Sequence, residues 1–136
     1  MYHAGRSVTK SQTEAAKWFG QALPGILDEA QNGVAWAQAD LGTAYELGIS
    51  LKQDFQRAAY WYELAADQGY SGAQTNLGVL YANGEGVSSS KQKAIFWLRK
   101  AAEQGDAVAR ENLAILQPGS TNTTREIDEG SSNENR

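Results

Sequence analysis

Several residue types that support chemistry are scarce in this chain of 136 residues, which has no cysteine and one histidine. Without cysteine the protein can form neither disulfides nor thiolate metal sites, and it has no thiol nucleophile. The histidine, His3, stands near the chain start, where a catalytic base or metal ligand would need partners around it. We therefore expect no metal, no cofactor and no catalysis.

Long apolar runs and clustered basic residues are also missing. No stretch approaches the roughly 20 apolar residues that a transmembrane helix needs, and residues 1–6 lack the apolar core of a signal peptide. The formal net charge is −4, and the twelve lysines and arginines are scattered. These features argue against nucleic acid or a membrane as the partner. The compartment stays open, with the cytoplasm as the default expectation.

What the sequence does contain is a repeat with a period of 36 residues. The positions that recur at this distance are Leu41/Leu77, Gly42/Gly78, Tyr45/Tyr81, Gly48/Gly84, Ala58/Ala94, Trp61/Trp97 and Gly69/Gly105. The segment around Trp18 has the same internal spacing, but its phase slips by seven residues before Gly33, which indicates an insertion near residues 24–30. We predict a half repeat 1–33, full repeats 34–69 and 70–105, a terminal helix 106–117 and a disordered polar tail 118–136.

Each repeat is predicted to form a first (A) and a second (B) helix, because apolar residues recur at the helical period. The B helices are expected to follow a residue whose side-chain oxygen can cap a helix, namely Ser11, Asp54 or Ser90. They are expected to end at a glycine suited to a left-handed cap, namely Gly33, Gly69 or Gly105.

Two glycines, Gly42 and Gly78, lie inside the predicted A helices, where each costs roughly 1 kcal/mol relative to alanine. A repeated cost indicates a repeated gain, and we interpret the gain as close approach to Trp61 and Trp97 of the B helices. Trp18 holds the same position in the repeat pattern, so we expect all three tryptophans in the core.

The pattern A-x-x-x-L-G-x-x-Y-x-x-G-x-G-V, followed by K-A-x-x-W-Y-x-x-A-A-x-Q-G, resembles the Sel-one-like repeat, a relative of the tetratricopeptide repeat. It is carried by Ala73, Leu77, Gly78, Tyr81, Gly84, Gly86, Val87, Lys93, Ala94, Trp97, Ala101, Ala102, Gln104 and Gly105. The resemblance covers residues 1–117, with Ser7 and Ser50 in place of the second loop glycine. It implies an all-α, right-handed superhelix of antiparallel helix pairs, whose A helices line a concave groove. It also implies a role as an adaptor or scaffold.

Trp36 is the tryptophan that the repeat does not require, because its counterparts are Gly72 and Val108. It precedes an A helix on the side expected to face the groove, where an exposed tryptophan could anchor a partner. The alternative is that Trp36 packs on Ile26 and Leu27.

The remaining groove candidates are the A-helix positions that the core does not use. With Trp36 they are Ala39, Asp40, Thr43, Glu46, Leu47, Thr75, Asn76, Val79, Asn83, Glu111 and Asn112. Asparagines can bond to a peptide backbone, and the acids favour a ligand with some positive charge. The alternative is a merely solvated face.

We therefore interpret the protein as a non-catalytic scaffold or adaptor that binds a short peptide or protein segment in the groove. A first alternative is a self-associating assembly or regulatory element, or part of a longer repeat protein. It would form a homo-oligomer through the exposed N-terminal helix face that carries Trp18, Phe19 and Ala22. A second alternative is a cell-wall-related hydrolase, which some relatives suggest, but no nucleophile–base pair is visible.

Overall fold

The computed structural model describes residues 10–118, and within these limits the chain forms six α-helices and no strand. The helices are α1 (Lys10–Gln31), α2 (Ala35–Leu47), α3 (Phe55–Asp67), α4 (Ser71–Asn83), α5 (Lys91–Glu103) and α6 (Ala107–Leu116). Each helix packs on the next, and the short connections make neighbours antiparallel. The all-α helical repeat is thereby confirmed, with α2, α4 and α6 as A helices. His3, Ser7 and the predicted polar tail after residue 118 lie outside the described residues.

The predicted helix caps are present in both full repeats. A side-chain oxygen of Asp54 accepts a hydrogen bond from the amide of Arg57 at 3.0 Å, and that of Ser90 accepts from the amide of Lys93 at 3.1 Å. Each B helix is followed by a glycine in the left-handed backbone conformation, with φ of 90° at Gly33, 92° at Gly69 and 98° at Gly105. These local signals therefore set the limits of α3 and α5.

The helix-interior glycines allow close packing, but against different residues from those predicted. A Cβ atom at Gly42 would lie 2.6 Å from Cδ1 of Tyr62, and one at Gly78 would lie 2.7 Å from Cγ of Leu98. Tyr62 and Leu98 each follow the expected tryptophan by one residue. The B helix is thus rotated so that the tryptophans are half-buried, and Trp61 packs against a cluster from α1 and α2.

Pairs of glutamines, one buried and one exposed, connect successive repeats. Nε2 of Gln38 donates to the carbonyl of Ala30 at 3.2 Å, while Nε2 of Gln68 donates to Oε1 of Gln38 and to the carbonyl of Gly33, both at 2.9 Å. The next repeat makes the same set of bonds with Gln74, Gln104, Ala66 and Gly69. Because buried polar groups are costly without partners, this network holds the angle between neighbouring helix pairs.

The seven-residue insertion is helical and lengthens α1, which has 22 residues where α3 and α5 have 13; the other two extra residues come from a helix start two positions earlier relative to Trp18 than that of α3 relative to Trp61. Seven residues add close to two turns at about 3.6 residues per turn, so the added segment keeps the same face toward α2. Ile26 and Ala30 now pack against Ala37 and Leu41.

Trp61 packs on the cluster formed by α1 and α2, and Trp97 packs on the cluster formed by α2, α3 and α4, whereas within residues 10–118 no helix precedes α1 to cover Trp18. Its side chain is 62% exposed, so the prediction that Trp18 belongs to the core is wrong. The helix also begins at Lys10, one residue before Ser11, so the predicted start after Ser11 is wrong as well.

Candidate binding surface

The A helices form a continuous surface of their own. α2 contacts α4 and α4 contacts α6, and these contacts are more extensive than those between successive B helices. The array therefore curves toward its A helices, and we refer to the surface shared by α2, α4 and α6 as the A-helix face. Along α2 and α4 the charged residues are Asp40 and Glu46, with no lysine or arginine. This part of the A-helix face is acidic.

A buried tyrosine from a B helix organises the polar side chains of this face. The hydroxyl of Tyr62 donates to Oε1 of Glu46 at 2.6 Å, and Oγ1 of Thr43 lies 3.0 Å from the same hydroxyl. Asn76 of α4 lies on the same side, where its side chain acts to lower the pKa of Tyr62. The structure therefore brings together three predicted candidates from two helices around a residue that sequence reasoning missed. The sequence did contain a signal for Tyr62, since the equivalent residue of the next repeat is Leu98, and a tyrosine in place of a core leucine brings a hydroxyl group into the core.

The environment of Tyr62 keeps its hydroxyl protonated. Burial raises the pKa of Tyr62 well above its ordinary value, and the hydrogen bond to the Glu46 carboxylate raises the pKa further. A neutral phenol remains a donor throughout the accessible pH range. The Glu46 carboxylate is thus held in one position at the partly exposed edge of the A-helix face, ready to accept a donor from a ligand.

Asp40 is held in a less favourable environment. Burial of its half-buried side chain raises the pKa of the Asp40 carboxyl above the ordinary 3.8. Within residues 10–118 the one ion pair joins Arg57 to Asp54 at 3.5 Å, and no hydrogen bond reaches the carboxylate of Asp40. A partly desolvated carboxylate without a partner destabilises the folded chain.

Two predicted groove residues are not accessible to a ligand. Ala39 is 6% exposed and belongs to the main core cluster, and Thr75 is 4% exposed. Oγ1 of Thr75 donates to Oδ2 of Asp106 at 3.0 Å, and the other oxygen of Asp106 caps α6. The prediction that Ala39 and Thr75 lie on the groove surface is therefore wrong, since both side chains contribute to helix packing instead.

The other predicted groove residues remain at the surface. Leu47 and Glu111 are exposed and Val79 is partly exposed. The side-chain amide of Asn83 lies 3.5 Å from Glu85, and that of Asn112 donates to a carbonyl of its own helix at 3.1 Å. They extend the A-helix face beyond the cluster around Tyr62.

Trp36 borders a cavity at the α1 end of the A-helix face. Its side chain is 47% exposed. The open cavity of about 260 Å³ is lined by Trp18, Ala22, Gly25, Ile26, Glu29 and Trp36. Trp36 thus shares this cavity with Ile26 while about half of its side chain faces solvent, and its role as a partner anchor stays a prediction.

Between residues 10 and 118, no three histidine, aspartate or glutamate side chains come together as a metal site would require. In the same range no helix is long and apolar enough to span a membrane.

Comparisons with known proteins agree with this architecture. The profile of the Sel1 repeat matches residues 1–23, 37–70 and 71–106. Residues 24–36, which contain the insertion and Trp36, lie outside the matched segments. No curated protein matches the chain significantly.

Solved structures show the same fold. A Sel1 repeat protein from Oxalobacter formigenes is 41% identical with a TM-score of 0.70, over 71% of this chain and 28% of that one. A protective antigen present in uropathogenic Escherichia coli strains, described as displaying an SLR fold, is 36% identical with a TM-score of 0.69, over 71% of this chain and 21% of that one. The Helicobacter pylori cysteine-rich protein B is 22% identical with a TM-score of 0.55, over 81% of this chain and all of that one. The chain thus spans about a quarter of the first two proteins.

Proposed function

Since the chain belongs to the Sel1 repeat family, whose members generally mediate protein–protein interactions, we propose that its A-helix face binds a short basic segment of another protein. The family is typically a non-catalytic scaffold. The proposal adds a ligand class and a surface to that general role, and it assigns Asp40, Glu46 and Trp36 the main contacts.

The environment of Asp40 is the observation that carries the proposal. A carboxylate that is partly desolvated and unpartnered within the described chain lowers stability, as its raised pKa indicates. A lysine or arginine of a ligand would supply the missing partner, with a charge-assisted hydrogen bond. Glu46, whose carboxylate accepts a hydrogen bond from Tyr62 at 2.6 Å, offers a second negatively charged acceptor. A basic ligand is favoured because it neutralises both.

The spacing along α2 fits an extended segment. Trp36 and Asp40 are four residues apart and lie one above the other on the helix, whereas Glu46, six residues further on, lies about 1.7 turns along the axis and about 120° around the helix, so a segment that reaches all three crosses α2 obliquely. The distance from Trp36 to Glu46 is about 15 Å at 1.5 Å per residue, which an extended chain of about five residues spans. Asn76 lies across from this row on α4, where its amide can meet a peptide backbone.

Substitutions at the three main residues test the proposal. An array of random hexapeptides of varied net charge is screened by fluorescence anisotropy, and we expect the bound peptides to be basic. For the tightest of them, Trp36→Ala is expected to weaken affinity about tenfold or more. Asp40→Asn and Glu46→Gln are expected to weaken it about three- to tenfold each. Added salt is expected to weaken peptide binding by the wild type, and to weaken it less for Asp40→Asn and Glu46→Gln, because each variant has one fewer charge to screen.

Matched controls lie on the B helices. Glu63→Gln removes an exposed carboxylate from α3, and Phe96→Ala removes a half-exposed ring from α5. Both should leave peptide affinity unchanged. The proposal fails if acidic and neutral peptides bind as well as basic ones, or if the control variants weaken binding as much as the A-helix variants do.

A stability measurement tests the role of Asp40 without any ligand. Because its pKa is raised, the folded state holds this proton more tightly than the unfolded state, so stability declines as pH rises through the folded pKa. Asp40→Asn is therefore expected to raise the thermal midpoint at pH 7 and to leave it nearly unchanged at pH 3. Equal effects at both pH values would show that the Asp40 charge does not destabilise the fold.

A further inference from the structure

The insertion in α1 creates the cavity beside Trp36. In the two full repeats, Trp61 and Trp97 stand eight residues before the capping glycine, and the residue at that distance from Gly33 is Gly25. A Cβ atom at Gly25 would meet nothing within 4 Å. The space that an indole takes in the later repeats is thus left open on α1.

The lining of this cavity departs from the repeat at a second position. Glu29 stands four residues before Gly33, where the later repeats have Ala65 and Ala101. Both alanines are completely buried, Ala65 in a cluster with residues of α2 and α4 and Ala101 in a cluster with residues of α6. Glu29 is exposed, and burying its charge as these alanines are buried would come at high cost.

The chemistry of the lining selects a cation with an apolar surface. Trp18 and Trp36 present exposed indoles, whose faces attract cations, most strongly when the cation is weakly hydrated. Within residues 10–118 no lysine or arginine forms an ion pair with Glu29. An alkylated ammonium matches this lining. Its methyl groups fit the apolar wall, and its positive charge is attracted both by the indole faces and by the carboxylate of Glu29.

We propose that the cavity between Trp18 and Trp36 binds the alkylammonium group of a lysine side chain, preferentially N-methylated, with Glu29 as its counterion. The cavity volume of about 260 Å³ accommodates a trimethylammonium group with part of its alkyl stem. Trp36 lies four residues before Asp40, so the cavity adjoins the A-helix face. The inference deepens the proposed function and rests on it for the identity of the ligand as part of a basic segment.

A single amino-acid derivative tests the cavity apart from peptide binding. The probe is Nα-acetyl-trimethyllysine methylamide, and its comparison is the neutral analogue with a tert-butyl group in place of trimethylammonium. In ¹⁵N-labelled protein, saturable shifts are expected for the indole N–H signals of Trp18 and Trp36 but not for those of Trp61 and Trp97. The neutral analogue should bind at least about fivefold more weakly, since it lacks the cation–π and charge attraction.

Three variants probe the lining. Trp18→Ala is expected to weaken probe affinity about tenfold, and Glu29→Gln should weaken it about threefold, with Glu63→Gln as the matched control without effect. Gly25→Leu should fill the cavity and abolish binding. Because leucine is the better helix former and the site is open, Gly25→Leu should unfold at a higher temperature than wild type. A loss of binding in that variant therefore cannot be attributed to misfolding.

The inference is overturned if the neutral analogue binds equally well, because the cavity is then merely apolar. It is also overturned if no indole signal moves, or if Trp18 and Trp36 are protected by a homodimer, whose mass sedimentation would reveal. Basic peptides that depend on Asp40 but not on Glu29, with no probe binding, would remove this inference and leave the proposed function standing. Probe binding without basic-peptide binding would remove the proposed function and leave the cation site.

Discussion

Replacing Gly86 with alanine is expected to lower the free energy of unfolding by about 3 kcal/mol or more. Gly86 has φ of 75°, a left-handed conformation that costs an alanine roughly 1–2 kcal/mol. A Cβ atom would also overlap the carbonyl group of Phe55 at the start of α3. A backbone carbonyl cannot turn aside as a flexible side chain can, so the loop between α4 and α5 must move. Overpacking of this kind adds about 1–3 kcal/mol. Urea unfolding measures the loss.

Ser50 provides the matched comparison for Gly86. It stands 36 residues earlier and keeps the left-handed conformation, with φ of 64°. Its neighbours are in α1, where Oγ of Ser50 lies 3.4 Å from the carbonyl of Ala16. A Cβ atom at Gly20 would lie 3.2 Å from Oγ of Ser50, so the absence of a side chain at Gly20 leaves space for this hydroxyl. Ser50→Gly is therefore expected to stabilise the fold by up to about 1 kcal/mol, because the strain that it relieves outweighs the long, exposed hydrogen bond to Ala16 that it also removes. If both substitutions proved neutral, the left-handed conformation of this loop position would be contradicted.

Replacing Gly42 with alanine is the second large effect, expected at about 1–2 kcal/mol of lost stability. Alanine is the better helix former by about 1 kcal/mol. The new methyl group would, however, lie 2.6 and 2.7 Å from two ring carbons of Tyr62, whose side chain is completely buried. The ring cannot move without breaking the bonds from its hydroxyl to Glu46 and Thr43. The packing loss therefore exceeds the gain in helix propensity.

A glycine-to-alanine substitution at Gly25 in α1 is expected to raise the free energy of unfolding, where Gly42→Ala lowers it. A Cβ atom at Gly25 meets no other atom within 4 Å, so Gly25→Ala keeps the propensity gain of about 1 kcal/mol without a packing loss. Thermal and urea unfolding of the two variants are compared side by side. A gain in both variants would show that α2 and α3 do not approach each other as closely as described. A loss in both would show that Gly25 is enclosed.

Features that depend on residues close in the chain could be predicted. The caps at Asp54 and Ser90 involve an amide three residues later, and the capping glycines close hydrogen bonds within six residues. The 36-residue period then implied that the two full repeats share one structure. Since these interactions form within each repeat, the spacing of residue types was enough to place them.

The candidate site could be predicted only in part. Asp40, Glu46 and Asn76 were found because they lie on positions that the repeated core leaves unused. Tyr62 was missed because the sequence does not show that its hydroxyl reaches across to α2. Thr75 was placed at the surface although it is buried, because its partner Asp106 is 31 residues away. Which side chains meet across helices depends on helix rotation, and the repeat pattern does not encode it.

The sequence by itself determined that this chain is a stack of helix pairs, since helix periodicity, caps and the repeat are all local patterns. Only the tertiary structure decided how α1 meets α2. An insertion of seven residues adds about two turns and leaves the helical face unchanged, so periodicity could not reveal which turns of α1 would pack. Ile26 and Ala30 pack on α2, while Trp18 lies at the surface and lines a cavity with Trp36. The physical reason is that burial depends on contacts between separate helices.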